Sequence, residues 1–186
     1  MKMGMAVAEL DEYALVARAR SGDRAAFTAL VERHYDFIFG VAWRWSANHA
    51  DAEDIAQETC IRIARSISGY RGEGGIRTWI YRLVLSAAHD AARKTTRERR
   101  KAEAFHAQAL IDGQGAVFEG DTIEELWDAV RELPEKQRDA ILLVHGEDLS
   151  HAEAAIIMGC KESTVSWHIH EGRKKLKHLM RANGDG

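Results

Sequence analysis

Only one proline, Pro134, occurs in 186 residues, and only two cysteines, Cys60 and Cys160. A chain this poor in proline and rich in Ala, Arg, Glu and Leu favours helices over a strand-rich fold with frequent turns. The cysteines lie far apart and show no CxxC spacing, so neither a disulfide framework nor a cysteine zinc site has support. They read as two buried, reduced thiols. No run is long and apolar enough to span a bilayer, and the opening MKMGMAVAEL lacks a signal-peptide core. A cytoplasmic protein without membrane insertion is expected. At 46% hydrophobic and 30% charged, the chain is not a disordered polyelectrolyte. Its length admits one domain or two small ones.

The formal net charge of −3 argues weakly against nucleic acid until its distribution is read. From Arg62 to Glu103 eleven side chains are basic and four acidic, whereas residues 112–128 carry six acids and no base. Such segregation suggests a polyanion-facing surface beside a negative connector.

Hydrophobic spacing predicts helices throughout. Asp23 is placed to cap one with Phe27, Leu30, Val31, Tyr35 and Ile38 on its inner face. Asp51 is placed to cap a second with Ala52, Ala56, Cys60, Ile63 and Ile67, and Ser68 and Gly69 end it. After the loop YRGEGGIR, Thr78 is expected to start a third, carrying Trp79, Ile80, Leu83 and Val84 into the basic run RKTTRERRK. Residues 8–100 then form one helical bundle. A pattern-poor stretch with Gly113, Gly115 and Gly120 reads as a linker over 101–121. A second domain follows over 122–183, with Pro134 at the first turn of one of its helices. In that domain Ser150 with Glu153 three residues on is a capping box. Gly159 ends this short helix, and a tight turn leads to a last one with Val165, Ile169, Leu176 and Leu179. This is the helix-turn-helix pattern. The expected fold is all-α: two small helical domains joined by a linker, the C-terminal one holding a helix-turn-helix.

Two stretches resemble the sigma-70 family of RNA polymerase initiation factors, in its extracytoplasmic-function group. One is DAEDIAQETCIRI followed by GYRGEGGIRTWIYRLVLSAAHDAARK; the other is ELPEKQRDAILLVHGEDLSHAEAAIIMGCKESTVSWHIHEGRKKLK. The resemblance implies an initiation factor without catalytic chemistry or cofactor. Its implied partners are core RNA polymerase, promoter DNA and an anti-sigma factor. The N-terminal domain would dock on polymerase and open the −10 element; the C-terminal domain would read the −35 element. A stand-alone helix-turn-helix regulator is the alternative.

Carried onto this chain, the docking residues are Asp51, Asp54, Gln57, Glu58 and Arg62. The same residues also read as a solvated face with a Glu58–Arg62 pair, or as half of a carboxylate metal site that lacks a second cluster. For the −10 element the resemblance marks Tyr70, Arg71, Arg77, Arg82, Ser86, His89, Arg93 and Lys94, with Ser86 standing where asparagine is common. Unstacking bases costs a few kcal/mol per step, which cations and a pocket would have to offset. Trp79 reads either as core or as a stacking ring, and its helical spacing with Leu83 favours core. For the −35 element the candidates are Ser163, Thr164, Ser166, Trp167, His168, His170, Glu171, Arg173, Lys174 and Lys175. Residues 127–182 hold nine bases against nine acids, a weak footing for DNA binding unaided. Gly172 inside a helix costs about 1 kcal/mol relative to alanine. Five histidines between His145 and His178 match no zinc spacing and read as solvated or groove-facing.

Overall fold

The computed structural model describes residues 11–72, 75–105 and 122–184. Among the described residues every regular element is helical. The helices are α1 (Glu12–Arg20), α2 (Arg24–Ser46), α3 (His49–Ser66), α4 (Gly75–Phe105), α5 (Thr122–Arg131), α6 (Glu135–Ile141), α7 (His151–Met158) and α8 (Glu162–Gly184). A 3-10 turn, Ile67–Gly69, follows α3, and a π-helical turn, Leu142–Gly146, follows α6. None of the described helices is long and apolar enough to cross a membrane. The expected linker over 101–121 falls mostly outside the described residues, and its first part, 101–105, is the end of α4.

The chain divides into two compact units, Met1–Ala88 with Ile156–Gly159, and His89–Ala155 with Cys160–Gly186. In the first unit Asp23 caps α2 as expected, accepting from the backbone N–H of Ala25 at 3.0 Å and of Ala26 at 3.1 Å. Arg18, in the last turn of α1, donates to its other oxygen at 2.8 Å. The Ala26 bond and then Arg18 hold the Asp23 carboxyl below its ordinary range.

The buried face of α2 runs through Leu30, His34, Ile38, Val41, Ala42 and Trp45. That corrects the phase: His34 turns inward and Tyr35 is 42% exposed. Steps of three and four from Leu30 reach His34 and Ile38, whereas Tyr35 lies about 100° further round, where its hydroxyl meets water. Burial pushes the His34 imidazole down, against the pull of Glu12, whose Oε1 stands 3.2 Å from Nε2.

The cap of α3 is Asn48, not Asp51. The chain leaves α2 through Ala47 at φ 50°, so the extended residue that a cap requires falls at Asn48, whose side chain accepts from the Asp51 N–H at 3.1 Å. Asp51 instead places its charge in the first turn, where the helix dipole favours an anion. The inner face of α3 is Ala52, Ile55, Ala56, Thr59 and Ile63, with Cys60 only half-buried. Helix α4 starts at Gly75, three residues before the expected Thr78. Gly75 takes φ +78°, which only glycine adopts without strain, and so brings Ile76 into the core one turn early. Leu15, Leu30, Ile38, Ile63, Ile80 and Val84 are almost wholly buried. Each such side chain stabilises the unit by about 1.5–3 kcal/mol.

In the second unit α5 and α6 pack on α8. Pro134 immediately precedes α6, and its carbonyl accepts from the N–H of Gln137 at 2.9 Å and of Arg138 at 3.0 Å. Val130, Leu133, Ile141, Leu143, Val165 and Ile169 form the core. The capping box is present: Ser150 N–H donates to Glu153 Oε2 at 2.9 Å and Glu153 N–H to Ser150 Oγ at 3.3 Å. Gly159 ends α7 at φ +64°.

Gly172 has a packing reason that its helix propensity hides. A Cβ there would stand 2.7 Å from Ile141 Cδ1 and 3.5 Å from Gln137 Cβ. The missing side chain lets α6 and α8 approach closely.

Candidate protein-docking and nucleic-acid interfaces

The inner stripe of α3 leaves its outer face to Asp51, Glu53, Asp54, Gln57, Ile61 and Arg65, all exposed. Ile61 went unnoticed in the sequence reading. It sits four residues beyond Gln57 and is 38% exposed among charges, and its signal is an isoleucine off the buried stripe. A second unforeseen feature lies at the start of α3. Phe39 and Trp43 of α2 meet His49, with centroid distances of 5.5 and 6.1 Å, and Trp43 is 43% exposed. An acidic, hydrogen-bonding strip with apolar points inside it suits a basic protein surface with apolar pockets. Among the described residues no His, Cys, Asp or Glu group is arranged to hold a metal ion.

Arg62 does not extend this strip. Its Nε donates to Glu58 Oε1 at 2.9 Å and its Nη1 to Ser86 Oγ on α4 at 2.7 Å. It therefore ties the two helices together, a link invisible in one dimension.

Helix α4 exposes Arg77, Arg82, Ser86, Arg93, Lys94 and Arg97, and Arg71 is exposed in the loop before it. Tyr70 is elsewhere: it is 7% exposed and packs on Trp79 at 5.1 Å between centroids. Burial pushes its phenol up and keeps it neutral. Arg77 lies over the Phe37 ring, 4.1 Å from the centroid, which pre-orients the guanidinium. Within the first unit Arg82 donates to the main-chain carbonyl of Ile156. Within the second, His89 is buried, with Nε2 3.1 Å from Asp139 Oδ1 and Nδ1 3.3 Å from Glu135 Oε1. Arg93 pairs with Asp90 at 2.8 Å. The exposed cations thus lie on α4 and in the loop before it, while Tyr70, ahead of the helix, and His89, on it, are packed.

The last helix separates its candidates by the same rule. Val165, Ile169, Gly172 and Leu176 face inward. Ser163, Ser166, Trp167, His170, Arg173, Lys174 and Lys175 are exposed, as is Lys177, while Thr164, His168 and Glu171 are intermediate. Trp167 is 56% exposed and touches only the edge of His168 among the rings described, so it is available to a groove. Burial, with Lys136 nearby, pushes His168 below its ordinary 6.5. Ser166 is already engaged: its hydroxyl donates to the Glu162 carbonyl at 3.1 Å and lies 2.9 Å from His151 Nδ1. That second bond joins the two helices of the helix-turn-helix.

Comparison with known proteins agrees over both blocks. Residues 30–98 match Sigma-70 region 2 and residues 123–176 match Sigma-70, region 4. The chain is 31% identical over 182 residues to the RNA polymerase sigma-H factor of Pseudomonas aeruginosa, covering 90% of this chain and 94% of that one. It is 29% identical over 183 residues to the ECF RNA polymerase sigma-E factor of Haemophilus influenzae, covering 92% and 96%. The fold is similar to that of CnrH in complex with the cytosolic domain of CnrY, at TM-score 0.65 and 24% identity over 90% of this chain and 96% of that one. It is also similar to the sigma factor RpoE in complex with the anti-sigma factor NepR from Bartonella quintana, at TM-score 0.60 and 20% identity over 83% and 96%. A stand-alone regulator would account for the second block alone, and the match of the first sets that alternative aside. The chain belongs to the sigma-70 family of RNA polymerase sigma factors, in its extracytoplasmic-function group.

Proposed function

We propose that this chain binds core RNA polymerase through the outer face of α3, opens the −10 element along α4 and reads the −35 element with α8. The observation that carries this is the order of exposed chemistry along the chain. An acidic strip on α3 is followed by a cationic strip on α4, and then by a helix-turn-helix whose last helix exposes an aromatic and cations. In domain terms, residues 8–100 serve polymerase and the −10 element, 101–121 connect, and 122–183 serve the −35 element. Asp51, Asp54, Gln57 and Ile61 are the docking set, with Glu58 at its margin. Arg71, Arg77, Arg82, Arg93 and Lys94 follow the displaced strand, where cations and base capture offset unstacking. Ser163, Trp167, His170 and Lys174 enter the groove and Arg173, Lys175 and Lys177 meet phosphates. The protein acts in the cytoplasm as a specificity subunit without catalysis of its own. The structurally similar RpoE was solved with the anti-sigma factor NepR, which supports an anti-sigma factor for this chain as well.

The experiment is reconstitution with core polymerase. Asp54→Ala with Ile61→Ala should abolish co-purification while leaving the helical circular dichroism intact. Arg77→Ala with Arg82→Ala should depress permanganate reactivity of duplex promoter far more than closed-complex binding, and a pre-melted promoter should restore it. Unchanged co-purification, or unchanged permanganate footprints, would remove the corresponding surface from the assignment.

A further inference from the structure

His145 lies on the surface in the π-helical turn Leu142–Gly146, which is closed by Leu149 N–H donating to the Leu143 carbonyl at 3.1 Å. Single π turns are rare and re-aim the side chains they carry. This one brings His145 Nε2 to 3.1 Å from Arg173 Nη2 on α8. A guanidinium has only donors, so the bond requires a lone pair on Nε2. The contact therefore requires the neutral imidazole with its proton on Nδ1. Arg173 stands three residues after His170 and four before Lys177, on the exposed face of α8.

We propose that His145 is a positioning residue for DNA binding by α8: neutral, it holds the Arg173 guanidinium back against the π turn; protonated, it releases Arg173 and joins it as a second cation facing phosphate. This rests on α8 being the −35-binding helix. Protonation turns Nε2 from acceptor to donor, so the bond cannot survive it, and two like charges are left at contact distance. A DNA phosphate is the group that stabilises that pair. DNA binding and proton binding at His145 are consequently linked: each strengthens the other by the same factor.

Among the described residues, the groups acting on His145 are Arg173 from α8, His151 from α7 and Asp148 from the connecting loop. Partial burial, then Arg173 and His151, push the imidazole below its ordinary 6.5, while Asp148 opposes them. In the DNA-free chain the neutral form therefore prevails at neutral pH. Beside DNA the protonated form gains, so the pKa rises. Affinity is level above the bound-state pKa, climbs as pH falls through the interval between the two values, and levels again below the free one.

The test uses holoenzyme reconstituted from the full chain and core polymerase, with a fluorescent promoter duplex selected from a random library, at fixed ionic strength. His145→Gln keeps an acceptor and does not titrate. It should bind within about twofold of the parent at pH 8 and fall about three- to tenfold behind it at pH 6. His145→Arg, a permanent cation, should bind tighter than the parent at pH 8, with a salt slope steeper by about one counterion. In the full chain, at a duplex concentration and low ionic strength that fluorescence anisotropy shows to saturate it, the His145 ring titration followed by NMR should move upward, which reports independently of variant folding. His145→Gln tracking the parent at every pH, or a His145 pKa unmoved by DNA, overturns the proposal. Trp167→Ala and Lys174→Ala serve as controls. If they lose promoter binding while His145→Gln tracks the parent, the positioning role fails alone. If they too bind normally, α8 is not the −35 helix and both readings fail.

Discussion

Alanine at Gly172 sets two effects of known sign against each other. In a helix interior alanine is favoured over glycine by about 1 kcal/mol, through backbone entropy. Here the new methyl carbon would meet Ile141 Cδ1 at 2.7 Å. Carbon atoms rest at about 3.5–4.0 Å, so Ile141 must retreat by about 1 Å. Ile141 is 4% exposed and belongs to the core of the second unit. Overpacking of this kind costs about 1–3 kcal/mol, so Gly172→Ala should destabilise by about 1 kcal/mol net. Ile141→Val removes the offending carbon and by itself costs about 0.5–1.5 kcal/mol. In that background Gly172→Ala should turn stabilising by up to about 1 kcal/mol, a coupling of about 2 kcal/mol between the two sites. Urea unfolding followed by circular dichroism and by tryptophan fluorescence measures all four corners of the cycle, and coincident transitions license the free energies. Additive effects, or a stabilising Gly172→Ala in the parent, would refute the close approach of α6 and α8.

Leu143→Ala, at a fully buried position of the second unit, should cost about 2–5 kcal/mol in the same assay. Trp167→Ala should leave stability unchanged, because the ring is mostly solvated, while lowering −35 binding about tenfold at a thymine-bearing position, read by competition among single-base promoter variants. Asp23 adds stability above the ordinary carboxylate pKa of 3.8, and that contribution disappears as pH falls through its lowered folded-state value. Asp23→Asn keeps the cap oxygen and loses the Arg18 pair, so its stability should vary less across this acid window; an unaltered acid limb of the profile would exclude Asp23 from it.

Local chemistry was legible from the residues alone. The Ser150–Glu153 box, the Asp23 cap, the turn at Gly159 and the inner stripes of α3 and α8 depend on neighbours within four positions, and such interactions are written in sequence order. The helix-turn-helix pattern followed from them, whereas the two motif blocks were carried by their resemblance to the sigma-70 family. Packing decided what local rules left open. His34 and Tyr35 are both compatible with an amphipathic helix, and the placement of Glu12 and the core selects the histidine. Tyr70 looked like a base platform until Trp79 covered it. Arg62 looked like a docking residue on one helix until Ser86 of the next lay within reach of its guanidinium. Gly172 looked like a weakness until Ile141 filled the space over it, and His145 looked like a solvated histidine until the π turn aimed it at Arg173. In each case the partner is remote in sequence, and periodicity says which face a residue occupies but not what the fold brings against that face.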